Sequence, residues 1–89
     1  MRRILILDDD PVTCDLLSRI LETEYQVAVC HDAQEGLRLA RQFFPDLILL
    51  DILMPGMDGF AACREIRRTF VDVPIVFISG LTETPLIVR

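Results

Sequence analysis

The chain has 89 residues, of which 52% are hydrophobic and 26% charged, and its formal net charge is -5 with a pI near 4.6. A chain of this length and composition forms one globular domain at most and is too apolar to be disordered. The acidic balance argues against nucleic acid and against an anionic membrane as the main partner, and it favours a cation or a basic partner.

The cysteines and the N-terminal region indicate the cellular compartment of the protein. Cys14, Cys30 and Cys63 are odd in number and have no paired spacing, which is typical of reduced thiols. The apolar run at residues 4–7 is too short for a signal peptide or a membrane span. We therefore expect a cytoplasmic protein.

Short apolar runs alternate with helical patterns along the chain. Residues 4–7 predict a buried strand. Asp10 as N-cap and Pro11 at the first helical position predict that a helix follows. The inward face predicted for this helix consists of Val12, Leu16, Leu17, Ile20 and Leu21.

The same alternation continues to the end of the chain. Residues 26–30, 47–50 and 75–78 predict three more strands, and Asp32 with Glu35 predicts a capping box for the second helix. Asp58 is the predicted cap of a third helix, and residues 84–85 predict the start of a helical stub. The predicted inward residues are Ala33, Leu37, Ala40 and Phe44 on the second helix, and Phe60, Cys63, Ile66 and Phe70 on the third.

This order of elements calls for a mainly parallel sheet with helices on both faces, in which ligands bind beyond the carboxyl ends of the strands. Asp8 and Asp9 follow the first strand, Asp51 follows the third and Ser79 follows the fourth. Because parallel topology gathers these strand ends, we expect three carboxylates in one crevice, where their mutual repulsion needs a counter-charge.

A hard divalent cation would supply that charge. Mg²⁺ suits oxygen ligands of this kind; Ca²⁺ is possible, although no EF-hand loop is present. Pro55 and Gly56 permit a tight loop that brings the main-chain carbonyl of Leu53 to the metal. An acid held beside such a cation can be a nucleophile toward phosphorus, and the Ser79 hydroxyl could hydrogen-bond a phosphoryl oxygen.

The segments ILILDDDP, LILLDILMPGMDG and IVFISG together resemble the receiver domain of two-component response regulators over the whole chain. The resemblance implies a flavodoxin-like, doubly wound sheet with strand order 2-1-3-4. It also implies that Asp51 accepts a phosphoryl group from a histidine kinase or phosphotransfer protein and acts as a switch. By the same resemblance Asp9, Asp51 and the carbonyl of Leu53 bind Mg²⁺ directly, Asp8 binds it through water, and Ser79 is the switch hydroxyl.

The chain also departs from that family. Receivers carry a phosphate-pairing lysine at the end of a fifth strand, whereas all nine basic residues here are arginine. We interpret the chain as a single truncated receiver over residues 1–89 that lacks the fifth strand and helix. We expect it to transfer phosphoryl groups more slowly than receivers that carry the lysine. We further expect residues 74–78 to form an uncovered sheet edge and one sheet face beside the first helix to be bare, so that the chain forms a homodimer through either surface.

Two other hypotheses remain open. A haloacid-dehalogenase-like phosphatase would use Asp8 as nucleophile and Asp10 as acid and base, since residues 8–12 fit its DxDx[TV] motif. That hypothesis leaves LMPGMDG unexplained. A receiver remnant could instead serve as a non-catalytic interaction module. Asp10 is expected to cap a helix, and His31 is expected to lie in a turn.

Overall fold

The structure is a computed structural model that describes residues 1–51, 53, 54, 57–78 and 86–88. Four parallel strands form its centre: β1 (Arg3–Leu7), β2 (Gln26–Cys30), β3 (Leu47–Asp51) and β6 (Ile75–Ile78). Their order in the sheet is β2-β1-β3-β6, which confirms the predicted order 2-1-3-4 and the doubly wound α/β class. Three helices connect them: α1 (Pro11–Leu21), α2 (Ala33–Phe43) and α3 (Gly59–Thr69).

Alternation along the strands divides the core between the two sheet faces. On one face, Leu50 and Ile48 of β3 are fully buried together with Ala40 of α2 and Ile66 of α3. On the other face, α1 packs on the remaining strand residues, including Ile6. The helices thus cover both faces, α2 and α3 on one side and α1 on the other.

Local sequence signals explain where the first two helices begin. The Asp10 carboxylate accepts a hydrogen bond from the Val12 backbone N–H at 3.1 Å and another from the Thr13 hydroxyl at 2.7 Å. These bonds hold the pKa of Asp10 below its usual range. Asp32 accepts a bond from the Glu35 N–H at 2.8 Å. Both predicted N-caps are confirmed, and each satisfies a donor that would lack an intrahelical partner.

The segment after Asp51 folds back on itself. Two short strands, β4 (Leu53–Met54) and β5 (Met57–Asp58), pair antiparallel with Met54 opposite Met57. These two strands flank Pro55 and Gly56, and the tight turn predicted there lies outside the described residues. This hairpin leads directly from the end of β3 into α3.

The predicted helical stub is wrong for the part that the structure describes. Residues 86–88 form a strand, β7 (Leu86–Val88), which pairs antiparallel with β6. Thr84 and Pro85 lie outside the described residues. An apolar sequence, Leu-Ile-Val, beside the unpaired backbone groups of an edge strand gains hydrogen bonds by joining the sheet, and β-branched residues favour that conformation. The expectation of an uncovered edge at residues 74–78 is wrong for the same reason.

The expected inward faces of the helices are wrong at particular positions. On α1, the inward residues are Thr13, Cys14, Leu17 and Leu21, while Val12, Leu16 and Ile20 are 71%, 43% and 59% exposed. Phe44 is not in the core: it is 67% exposed and ends α2 in a left-handed conformation with φ 53°. A left-handed residue terminates a helix and satisfies its last carbonyls, here through a bond from the Phe44 N–H to Ala40.

Beside α1, the described residues leave a groove on the sheet face that the sequence analysis expected to be bare. Leu47 and Leu49 are only partly buried and line a groove of about 370 Å³ with Tyr25 and Leu21. In the described part of the chain, no helix is long and apolar enough to cross a membrane.

Candidate metal and phosphoacceptor site

Three carboxylates lie together at the carboxyl end of the sheet. Asp8 follows β1, and Asp51 is the last residue of β3, its neighbour in the sheet. One oxygen from each of Asp8, Asp9 and Asp51 lies within 4.8 Å of the other two. The strand order reverses between the neighbours β1 and β3, and the cluster forms there because both parallel strands end at the same edge.

Each carboxylate has a different environment. Asp8 is buried, with 4% of its surface exposed, whereas Asp9 and Asp51 are more exposed. One oxygen of Asp8 accepts a hydrogen bond from the Asp10 N–H at 2.9 Å. Asp8 is also hydrogen-bonded to the side chain of Asp51.

These surroundings raise the pKa of Asp8 to about 6. Burial is the largest cause, and the charges of Asp51 and Asp9 together with the hydrogen bond to Asp51 raise it further. The bond from Asp10 works in the opposite direction. The site therefore holds negative charge that the described side chains around it do not balance.

A magnesium ion fits this donor set. Opposite oxygens in a magnesium octahedron are about 4.2 Å apart, since each Mg–O distance is about 2.1 Å. The three carboxylate oxygens are thus near ligand spacing already. Carboxylates that also leave room for water ligands are the usual protein contribution to a magnesium site.

Two other site residues were predicted, Leu53 and Ser79, and both follow strand ends in the sequence. Leu53 begins β4, two residues after Asp51. Ser79 lies outside the described residues, but the residue before it, Ile78, is the sheet partner of Asp51. The end of β6 therefore lies at the same edge as the carboxylates.

The phosphatase hypothesis fits the geometry poorly. Both oxygens of Asp10 are engaged in capping α1, through Val12 and Thr13, so that this residue is not poised as a general acid and base. Its lowered pKa also disfavours a proton-carrying role. The sequence interpretation of Asp10 as a helix cap is confirmed.

Two side chains next to the cluster were not predicted as part of the site. Cys14 of α1 and His31, just after β2, both contact the main-chain carbonyl of Asp8. The sequence suggested only a turn residue for His31 and an ordinary thiol for Cys14. Neither residue has a spacing relative to Asp8 that would have revealed the contact.

This fold and this acidic crevice define a phosphoacceptor domain of the CheY-like kind. The chain belongs to the response regulator receiver domain family, which it matches over residues 4–89. Its sequence is 44% identical over 86 residues to the DNA-binding dual master transcriptional regulator RpaA of Synechocystis sp., covering 93% of this chain and 36% of that protein.

Solved structures agree with the sequence comparison. The chemotaxis protein CheY4 of Vibrio cholerae superposes with a TM-score of 0.85 at 29% identity, over 94% of this chain and 71% of that one. The response regulator TrrA of Thermotoga maritima, in complex with Mg²⁺ and BeF, gives 0.82 at 34% identity, over 92% and 72%. The chain spans about a third of the length of the DNA-binding regulators that it matches.

Proposed function

We propose that Asp51 accepts a phosphoryl group from a histidine kinase or a histidine phosphotransfer protein, with Mg²⁺ held by Asp8, Asp9, Asp51 and the carbonyl of Leu53. The observation that carries the proposal is the convergence of three carboxylate oxygens within 4.8 Å at the carboxyl end of a receiver-type sheet. The structure of TrrA with Mg²⁺ and BeF supports it by family likeness.

The chemistry would be a displacement at phosphorus. A carboxylate oxygen of Asp51 forms the new bond to phosphorus while the bond between phosphorus and the donor nitrogen breaks, and the donor imidazole keeps that electron pair. Bound Mg²⁺ would supply charge neutralisation at the phosphoryl oxygens. Ser79 follows the sheet partner of Asp51 in the sequence. Its hydroxyl would then donate a hydrogen bond to one of those phosphoryl oxygens.

In this proposal the chain is a phosphoacceptor and not a turnover enzyme, and the covalent state of Asp51 is the signal. Cytoplasmic location belongs to the same proposal. It is supported by the three cysteines, which are buried free thiols.

The test is phosphorylation of the purified chain by acetyl phosphate in the presence of Mg²⁺. Wild-type protein and Asp8→Asn, Asp10→Asn and Asp51→Asn variants would be compared by intact mass. We expect wild type and Asp10→Asn to gain one phosphoryl group and Asp51→Asn to gain none. Asp8→Asn should gain it more slowly, because the metal site is weakened.

Each other outcome identifies a competing hypothesis. Loss of the adduct in Asp8→Asn but not in Asp51→Asn would support the phosphatase-like nucleophile. No adduct in wild type, with the fold and Mg²⁺ binding intact, would support a receiver remnant that acts only as an interaction module.

We also propose that this chain forms a homodimer through the open face beside α1. The edge of β6 is paired with β7 and is not available, whereas Leu47, Leu49 and Tyr25 line an open groove. Burying such apolar side chains is worth roughly 1.5 to 3 kcal/mol each when they are fully covered. Sedimentation at tens of micromolar should show a dimer that Leu49→Glu dissociates, and a wild-type monomer would contradict the proposal.

A further inference from the structure

The main-chain carbonyl of Asp8 accepts hydrogen bonds from two side chains that are distant in sequence. The Cys14 Sγ lies 3.3 Å from this oxygen and the His31 Nδ1 lies 3.0 Å from it. The two donors are 4.0 Å from each other. Since a carbonyl oxygen only accepts, the hydrogen of the neutral imidazole must be on Nδ1.

The other polar groups of Asp8 are also fixed. Its backbone N–H donates to the carbonyl of Cys30 at 3.1 Å, which extends the pairing of β1 with β2. One carboxylate oxygen accepts from the Asp10 N–H at 2.9 Å. The carbonyl that Cys14 and His31 hold belongs to the peptide unit between Asp8 and Asp9. Its orientation therefore sets where the chain, and with it the Asp9 side chain, goes next.

We propose that His31 and Cys14 are positioning residues of the magnesium site, which act by fixing the Asp8–Asp9 peptide so that both carboxylates face Asp51. Neither side chain needs to touch the cation or the phosphoryl group. The proposal rests on the proposed function in one respect, the identity of the cation as Mg²⁺.

The chemistry of the two donors suits this role. Burial, together with the carboxylates of Asp8 and Asp10, raises the pKa of Cys14 to about 11. The thiol therefore keeps its hydrogen at neutral pH and can donate it. Side chains that orient metal ligands in this indirect way typically change metal affinity by about 10 to 100-fold when they are removed.

Three substitutions at His31 separate the hydrogen bond from the bulk of the ring. His31→Asn places an amide nitrogen near the position of Nδ1, whereas His31→Gln places it one carbon further out and His31→Leu has no donor. We expect Mg²⁺ affinity, measured by titration calorimetry, to fall about tenfold in the Leu and Gln variants and to stay within about threefold of wild type in the Asn variant.

Cys14 provides the matched test on the other donor. Cys14→Ser keeps a donor, while Cys14→Ala removes it. Because the two donors share one acceptor, the loss of affinity in Cys14→Ala/His31→Leu should differ from the product of the two single losses. Strictly independent losses would contradict a shared action on the Asp8 carbonyl.

A measurement without metal distinguishes failure of this proposal from failure of the proposed function. Nitrogen chemical shifts should show His31 as the Nδ1–H tautomer at pH 8. The amide resonances of Asp9 and Asp10 should move in His31→Leu and return toward wild type in His31→Asn. If wild type bound no Mg²⁺, the proposed function would fail, and these shifts would still decide whether His31 orients the turn. Unchanged Asp9 and Asp10 resonances in His31→Leu would overturn the positioning role.

Discussion

Asparagine in place of Asp8 is expected to make the metal-free protein more stable at neutral pH and to weaken Mg²⁺ binding at least about tenfold. Asp8 is buried, and its pKa is raised to about 6 from an ordinary value of 3.8. Between these two values the folded protein holds a proton on Asp8 that the unfolded chain has lost. The free energy of unfolding of wild type should therefore fall as the pH rises from about 4 to about 6.

The variant removes this pH-dependent loss, because asparagine has nearly the same shape as aspartate and carries no charge. Urea unfolding without metal should show Asp8→Asn to be more stable than wild type at pH 7.5 and nearly equal to it at pH 4. Asp72→Asn is the matched control, since Asp72 is an exposed acid outside the crevice and gives the same change in net charge. That control should not show the pH-dependent difference.

Magnesium should reverse the order of stability at pH 7.5. At a free concentration about 100 times its dissociation constant, Mg²⁺ should stabilise wild type by about 2.7 kcal/mol, and by far less in Asp8→Asn. If Mg²⁺ stabilised both proteins equally, Asp8 would not belong to the metal site. If the metal-free variant were less stable than wild type at pH 7.5, the hydrogen bonds of the charged Asp8 would outweigh its burial and the repulsion among the three carboxylates.

Most of the fold was predictable because the local signals agree with one another. Pro11 with the Asp10 cap starts α1 where predicted, and β2 spans the predicted residues 26–30. β3 is apolar on both sides because helices lie on both faces of the sheet, a pattern that separates a parallel sheet from an antiparallel one. Strand order followed from the family resemblance and not from these local signals.

Tertiary context decided the elements that the sequence did not predict. On α1, Val12, Leu16 and Ile20 form an apolar row as regular as the one that is buried. Only the packing of the helix on the sheet shows which row faces inward. Residues 86–88 could extend a helix or pair with β6, and the available hydrogen-bonding edge of β6 favoured the strand.

The residues of the site also fall into those that the sequence predicts and those whose contacts depend on tertiary structure. Asp8, Asp9 and Asp51 were predictable because strand ends in a parallel sheet share one edge. His31 was not, because its contact with Asp8 depends on the register that places Leu7 opposite Cys30 at the ends of β1 and β2. Nothing in the local sequence around residue 31 specifies that register.

Replacing Phe77 by alanine is expected to have the largest effect on stability. Phe77 lies in β6 with 2% of its surface exposed. The centroid of its ring lies 5.0 Å from the ring centroid of Phe60 on α3, and the angle between the two ring planes is 59°. Truncating a buried phenylalanine typically costs about 3 to 5 kcal/mol. A domain of 89 residues has a total stability of roughly 5 to 13 kcal/mol, so that the loss would be a large part of the whole.

The aromatic contact can be separated from burial. Phe60 is 48% exposed, so Phe60→Ala should cost much less than Phe77→Ala. The double variant should show a coupling of about 0.5 to 1.5 kcal/mol, the usual value for an aromatic pair. Val71→Ala, at a site that is 70% exposed, is the control and should change stability by less than about 0.5 kcal/mol.

Urea unfolding followed by far-UV circular dichroism would measure the stability of wild type and of the four variants. Phe77 lies one residue before Ile78, the sheet partner of Asp51, so this packing also holds the end of β6 against the phosphoacceptor strand. We therefore expect Phe77→Ala to lower the yield of the acetyl phosphate adduct in step with the folded fraction. A stability of Phe77→Ala within about 1 kcal/mol of wild type, well below the usual loss for a buried ring, would mean that the ring is not packed between β6 and α3 as described.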